Sequence, residues 1–238
     1  MPIKAVLFDM FDTLMMIRKN HEFYSPSLLR MYKYLNRNGV NASFDTFQKE
    51  YIKTRDELYV KADENLEEPH FNIRVSETLK SLGYNYDISS HIVMAASAEF
   101  CDEFMTFVYL DENTEKLVRT LHGKYKLGII SNFAIPECVH ELLKTHDLDK
   151  LFDAVVVSGA VNKRKPSPEI FEHTLKALGV SASETVFVGD TLDADIEGAK
   201  AVGMKAVYIQ RRIEKTVEVH PDQTIMSLSE LPMMLERF

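Results

Sequence analysis

Five short runs, residues 3–8, 127–130, 154–157, 185–188 and 205–209, are almost wholly apolar and rich in β-branched residues. A strand with one solvated face alternates polar and apolar residues, whereas a strand covered on both faces reads as a continuous apolar run, and such strands belong to parallel sheets. Helical segments lie between the runs, so the pattern predicts an α/β fold, a Rossmann-like doubly wound parallel sheet. Pro136 marks one helix start, Pro168 starts another that stops at Gly179, and residues 195–202 form a third that closes at Gly203. Asp111 is the expected N-cap of a helix ending at Gly123.

Residues 16–108 break this rhythm. They contain no strand-like run and read as four amphipathic helices: one opened by Ser25-Pro26 and closed by Gly39, one opened by Ser43 with Phe44, Phe47, Tyr51 and Leu58 near one face, a third ending at Gly83, and a fourth over 90–104. The expected organisation is a core of residues 1–15 and 109–238 with a helical insertion, 16–108, rooted beside the end of the first strand. No internal repeat or low-complexity tract interrupts it.

The formal charge of -8 over 238 residues, with only Lys163, Arg164 and Lys165 as a short basic cluster, excludes a nucleic-acid backbone as the partner. No apolar run approaches the roughly 18 residues a membrane span requires, and Asp9 and Asp12 interrupt the first apolar run too early for a signal peptide. Cys101 and Cys138 are too few for a disulfide scaffold and read as two free, buried thiols in a reduced cytoplasm. Nothing in the chain fixes an oligomeric state.

Carboxylates cluster after two of the apolar runs: Asp9 and Asp12 after the first, and Asp190, Asp193 and Asp195 after the fourth. Ligands gather beyond the carboxyl ends of parallel strands, so the two clusters can share a site. Carboxylates drawn together repel unless a cation neutralises them, and hard oxygen donors without His or Cys favour Mg2+. After the second run come Ser131 and Asn132, a hydroxyl and an amide suited to an anion. After the third comes Lys165, which Pro166 stiffens into an extended approach. A nucleophilic carboxylate, a hydroxyl, a lysine and a carboxylate-bound cation around an oxyanion spell phosphoryl transfer, in which positioning and charge stabilisation dominate.

In this order and spacing the chain resembles the haloacid dehalogenase superfamily, with Asp9 in the first motif, Ser131 in the second, Lys165 in the third and Gly189-Asp190 with Asp195 in the fourth. The resemblance covers residues 2–15 and 111 to the end, the insertion matches the family's α-helical cap in position and length, and the tail, 222–238, resembles the family's closing strand and helix, with 224–226 followed by Ser229 as the expected cap. It implies that Asp9 is the nucleophile of an aspartyl-enzyme intermediate. Ser131 would bind a substrate phosphate oxygen, beside the Asn132 amide already read as suited to an anion, and Lys165 would hold phosphate and Asp9 together. Mg2+ would be bound by Asp9, the backbone carbonyl of Phe11, Asp190 and Asp195. Asp193 has no family role and reads as a solvated loop residue.

One position departs from that pattern. Family phosphatases carry an acid/base Asp two residues after the nucleophile, where this chain has Phe11. A general acid/base contributes about 10²- to 10⁴-fold, so hydrolysis of esters with poor leaving groups should be slow. Asp12 is one residue further on, and on an extended backbone its side chain points elsewhere. An aromatic residue at this position also occurs in the family's 2-haloacid dehalogenases, whose halide leaves without a proton. Those enzymes need no Mg2+, lack the Gly-Asp motif and use a cap arginine; Arg55 and Arg74 read here as surface charges. A phosphate-binding member with little activity is a further alternative, while phosphonate cleavage would need a cap lysine in place of the ordinary helix-face Lys53 and Lys61. The expectation is a Mg2+-dependent hydrolase acting on a small phosphorylated molecule, with substrate contacts among insertion residues such as Tyr51, Arg55, Tyr59, Arg74 and an exposed His70.

Overall fold

A computed structural model of the chain describes residues 2–18, 22–211 and 219–238. β1 (Ala5–Phe8) leads through β2 (Met15–Ile17) into four helices, α1 (Tyr24–Arg37), α2 (Phe44–Asp63), α3 (Phe71–Ser81) and α4 (His91–Met105). The chain returns through β3 (Val108–Leu110) and α5 (Thr114–Leu121). Strand and helix then alternate: β4 (Lys126–Ser131), α6 (Pro136–Thr145), β5 (Ala154–Val157), α7 (Ser158–Val161), α8 (Pro168–Leu178), β6 (Thr185–Gly189), α9 (Glu197–Ala201) and β7 (Lys205–Ile209), followed by β8 (Gln223–Ile225) and α10 (Leu231–Leu235).

Six strands form one sheet in the order β5-β4-β1-β6-β7-β8, every neighbouring pair parallel. The apolar runs are explained by burial on both faces. Val6, Phe8, Val186 and Val188 enter one hydrophobic cluster, and Ala5, Leu7 and Phe187 enter the other. Because β1 lies between β4 and β6, the order in which strands are added reverses there, and the crevice at its carboxyl end is a topological switch point.

Four insertion helices form where the sequence pattern placed them, with Ser43 accepting the Thr46 N–H at the start of α2 and Gly39 taking φ +96° after α1, but α1 starts at Tyr24 behind Phe23, so Ser25 and Pro26 lie inside its first turn rather than opening it. The segment is not free of strands, however. β2 and β3 pair antiparallel at its two roots, Met15 opposite Leu110 and Ile17 opposite Val108. Three-residue strands carry no readable period, and these two become partners only when the helices bring the ends of the insertion together.

Other expectations are corrected locally. Asn113, not Asp111, occupies the N-cap of α5; Asp111 accepts the Asn113 N–H at 2.9 Å and pairs with Arg211. Ser227, not Ser229, caps the tail in a capping box with Glu230. The turn at 192–196 is a wide π-helical one, and regular α9 begins only at Glu197.

Cys101 and Cys138 are not free thiols. They form a disulfide between α4 of the insertion and α6 of the sheet region, with Cα atoms 5.7 Å apart. Their separation of 37 residues gives no sign of this, because the contact is created by the packing of one helix on the other. The pairing removes the thiol argument for a reduced compartment. Among the described residues no helix is long and apolar enough to cross a membrane.

Candidate active site

Each candidate residue is carried past the end of a strand. Asp9 follows β1, Ser131 ends β4, Lys165 lies in the loop after β5 and α7, and Asp190 and Asp195 follow β6. They converge on one cavity of about 260 Å³, also lined by Phe11, Asp12, Asn132 and Phe133 from the sheet side and by Ile17, Phe23 and Phe104 from the insertion and its root.

Lys165 is 3% exposed and its Nζ stands 2.5 Å from Asp9 Oδ1 and 2.7 Å from Asp195 Oδ1. Burial alone would strip its proton, but Asp195 and Asp9 hold its pKa above the usual lysine value. Burial lifts the Asp9 carboxyl from 3.8 to about 6, with Asp195 acting in the same direction and Lys165 opposing. The Ser131 hydroxyl is fully buried and, among the described residues, has no hydrogen-bond partner. A buried hydroxyl without a partner in a cavity lined by a lysine is a place prepared for an anion.

Asp9, Asp190 and Asp195 are all buried, and each offers a carboxylate oxygen such that the three lie within 4.8 Å of one another. Lys165 pairs with two of the three, Asp9 and Asp195, and an all-carboxylate donor set of this kind fits a hard divalent cation. Backbone detail supports the cluster. The Thr191 N–H bonds Asp195 Oδ2 at 3.0 Å, and Gly189 must be glycine because a Cβ there would collide with the Asp195 carboxylate. Asp193 is exposed, as its loop position suggested.

Three residues have settings the sequence did not suggest. Asn132 holds the backbone of Lys165 at both ends of its amide, accepting the Lys165 N–H at 2.8 Å and donating to the Lys165 carbonyl at 2.9 Å. Its side chain therefore helps to set the lysine's position. Arg74 is no surface charge: it is 7% exposed and surrounded by Tyr51, Tyr59 and Phe71. His70 is partly buried; its Nδ1 accepts the Asn72 N–H at the start of α3, and its Nε2 lies 3.3 Å from Glu137. Arg55 is half-exposed beside Asp56.

The Phe11 ring packs against Phe133 and Phe104, with centroids 5.0 and 5.3 Å away. Asp12 takes a left-handed φ of +59° and its Oδ1 accepts the Ile17 N–H at 3.2 Å, so its carboxylate braces the turn into β2. Arg211, which sequence reasoning missed, ties the same turn down by donating to the carbonyls of Asp12 and Thr13 and pairing with Asp111. It sits some 200 residues from that turn, with no motif to mark it.

A parallel sheet whose switch point gathers a buried carboxylate, a buried lysine, a buried hydroxyl and an acidic cluster that could hold a metal marks an α/β enzyme with a site suited to hydrolysis. A family model for haloacid dehalogenase-like hydrolases matches residues 3–203, and the chain belongs to that family. It is 30% identical over 242 residues to the glyceraldehyde 3-phosphate phosphatase of Pyrococcus furiosus, an alignment covering 99% of this chain and 94% of that protein. Among solved structures it is similar to a haloacid dehalogenase-family phosphatase from Thermococcus onnurineus, with a TM-score of 0.66, 28% identity and 98% of each chain covered. It shares its fold with a 2-haloacid dehalogenase from Pseudomonas syringae pv. tomato, with a TM-score of 0.73, 23% identity and 99% of each chain covered.

Proposed function

We propose that this hydrolase is a Mg2+-dependent phosphatase acting on a small phosphorylated molecule, with residues 1–15 and 109–238 as the catalytic core and 16–108 as a cap over it. The observation that carries the reading is Lys165 held between Asp9 and Asp195, beside a buried Ser131 hydroxyl with no partner. Similarity to proteins named as glyceraldehyde 3-phosphate phosphatases supports the same substrate class.

Asp9 attacks phosphorus, the bond from phosphorus to the ester oxygen breaks, and an aspartyl phosphate forms. Ser131 donates to one phosphoryl oxygen. Lys165 stays protonated and lies against both nucleophile and phosphate, so charge moving onto the phosphoryl oxygens meets a fixed cation. Asp9, Asp190 and Asp195, with the Phe11 carbonyl, would hold Mg2+, which supplies further positive charge to the phosphoryl group. Asn132 keeps Lys165 in place throughout. Water then attacks phosphorus, releasing phosphate and restoring Asp9.

Phe11 has no proton to give, so the leaving alkoxide must take one from water. Turnover should therefore favour good leaving groups. The test is hydrolysis of p-nitrophenyl phosphate in Mg2+ and in EDTA, with Asp9→Asn as the control. Metal-dependent turnover that vanishes in the variant is expected; equal activity in the variant refutes the assignment. Halide release from a 2-haloacid without phosphatase activity would favour the dehalogenase alternative, for which the apolar setting of Phe11 among Phe104 and Phe133 is the specific support.

A further inference from the structure

The cavity over the carboxylates adjoins another on the insertion side. A second cavity of about 150 Å³ shares Phe23, Asn132 and Phe133 with the first, and Tyr59, Glu68 and Arg74 bring polar groups to its wall. Its mouth is held against the reactive end, because the Phe71 N–H at the start of α3 donates to the Ala134 carbonyl, three residues after Ser131, at 2.9 Å.

These three side chains form a relay whose two charged ends are buried and whose Tyr59 is partly so. Arg74 Nη2 donates to the Tyr59 hydroxyl at 3.0 Å, and that hydroxyl donates to Glu68 Oε1 at 2.9 Å. Glu68 is 6% exposed. Among the described residues no carboxylate pairs directly with Arg74, and its Nε is buried without a hydrogen-bond partner. Packing alone does not account for this arrangement, since an ion pair separated by a tyrosine is costly to bury and apolar side chains of similar volume would do better.

We infer that Glu68, Tyr59 and Arg74 form the subsite that reads the organic part of the substrate, and that this part is short, neutral and hydroxylated; the inference rests on the phosphatase reading. The subsite presents a cationic donor and an anionic acceptor together. A hydroxyl both donates and accepts, so it satisfies the two at once. A carboxylate in the same place meets Glu68, and an ammonium meets Arg74. The aromatic walls, Phe23, Phe71, Phe100 and Phe133, suit the C–H faces of a polyol. At about 150 Å³ the cavity is smaller than pockets that take drug-sized ligands, which suits a short organic part.

The probes are glycerol 3-phosphate, propyl phosphate, which has the same carbon count without free hydroxyls, and 2-phosphoglycolate, which carries a carboxylate. Dissociation constants are measured by calorimetry on the Asp9→Asn protein in MgCl2, and kcat/KM on the wild type. Glycerol 3-phosphate is expected to be preferred over both others by at least about tenfold, the scale on which unmet buried hydrogen bonds discriminate. Replacing both charges together, Glu68→Leu with Arg74→Met, leaves no lone buried ion, and should bring the preference over propyl phosphate close to one. Tyr59→Phe, which removes a single oxygen, should reduce it at least threefold and decides the matter if the double variant does not fold. Equal binding of the three esters by the unsubstituted subsite, or a preference that survives these substitutions, overturns the inference. Preferential binding without turnover in the wild type would refute the phosphatase reading while leaving the subsite standing.

Discussion

Asp9→Asn should make the metal-free protein more stable while abolishing its activity. The rise of the Asp9 pKa from 3.8 in an exposed chain to about 6 in the fold means that ionising this carboxyl is harder inside than outside. The unfolded chain releases the proton first, so wild-type stability falls as pH rises through this interval and levels off above about pH 6. A shift of that size corresponds to about 3 kcal/mol at neutral pH. Asparagine keeps the shape and leaves Lys165 paired with Asp195, but it has no charge to bury. In EDTA at pH 7.5, urea denaturation should place Asp9→Asn about 3 kcal/mol above wild type. The gain should shrink to about half at pH 5, where wild-type Asp9 is mostly protonated in the fold. Saturating Mg2+ should narrow the gap at pH 7.5 by stabilising the wild type. A variant less stable than wild type at pH 7.5, or a difference that ignores pH, would refute the picture of a carboxylate held against its preference.

Phe11→Asp should raise kcat for alkyl phosphates by about 10²-fold or more, through protonation of the leaving group, and gain little on p-nitrophenyl phosphate; parallel kinetics on the two esters would show it. Because a proton on Asp9 competes with a cation, Mg2+ affinity should weaken as pH falls through about 6, which calorimetry across pH 5–8 would measure. Asp190→Asn should lose the rise in Tm that Mg2+ gives the wild type, read by thermal scanning with and without EDTA. Thiol titration of unreduced, denatured protein should find no free cysteine, and Cys138→Ser should lower stability by about 4 kcal/mol, the loop-closure scale for its 37-residue separation.

The sheet was legible because burial on both faces writes an unbroken apolar run, and the five runs became β1, β4, β5, β6 and β7 with boundaries moved by no more than two residues. The convergence of Asp9, Ser131, Lys165, Asp190 and Asp195 was legible because strand ends in a parallel sheet share one edge. What escaped depends on contacts between distant segments. Nothing local marks Met15–Ile17 and Val108–Leu110 as partners, Cys101 as the neighbour of Cys138, or Arg211 as the brace of the turn after Asp9. Arg74 was misread for a related reason. A charged residue on an amphipathic helix is normally solvated, and only the aromatic surroundings supplied by α2 and the rest of α3 make it interior.

The loop that delivers Lys165 is fastened to the insertion as well as to Asn132. The Arg164 N–H donates to the Leu66 carbonyl at 2.9 Å, Lys163 Nζ reaches the Asn65 carbonyl at 3.1 Å, and the Arg164 guanidinium pairs with Asp63. The turn after α2 thus serves as a docking bracket for the lysine loop, which constrains how this enzyme can be rebuilt. Grafting a foreign insertion onto the sheet to change substrate preference would detach the loop from that bracket unless residues 63–66 travelled with the graft or stayed behind. Retaining that four-residue turn is thus a separate design requirement from reshaping the pocket, and neglecting it would yield a chimera with a new specificity and a misplaced lysine.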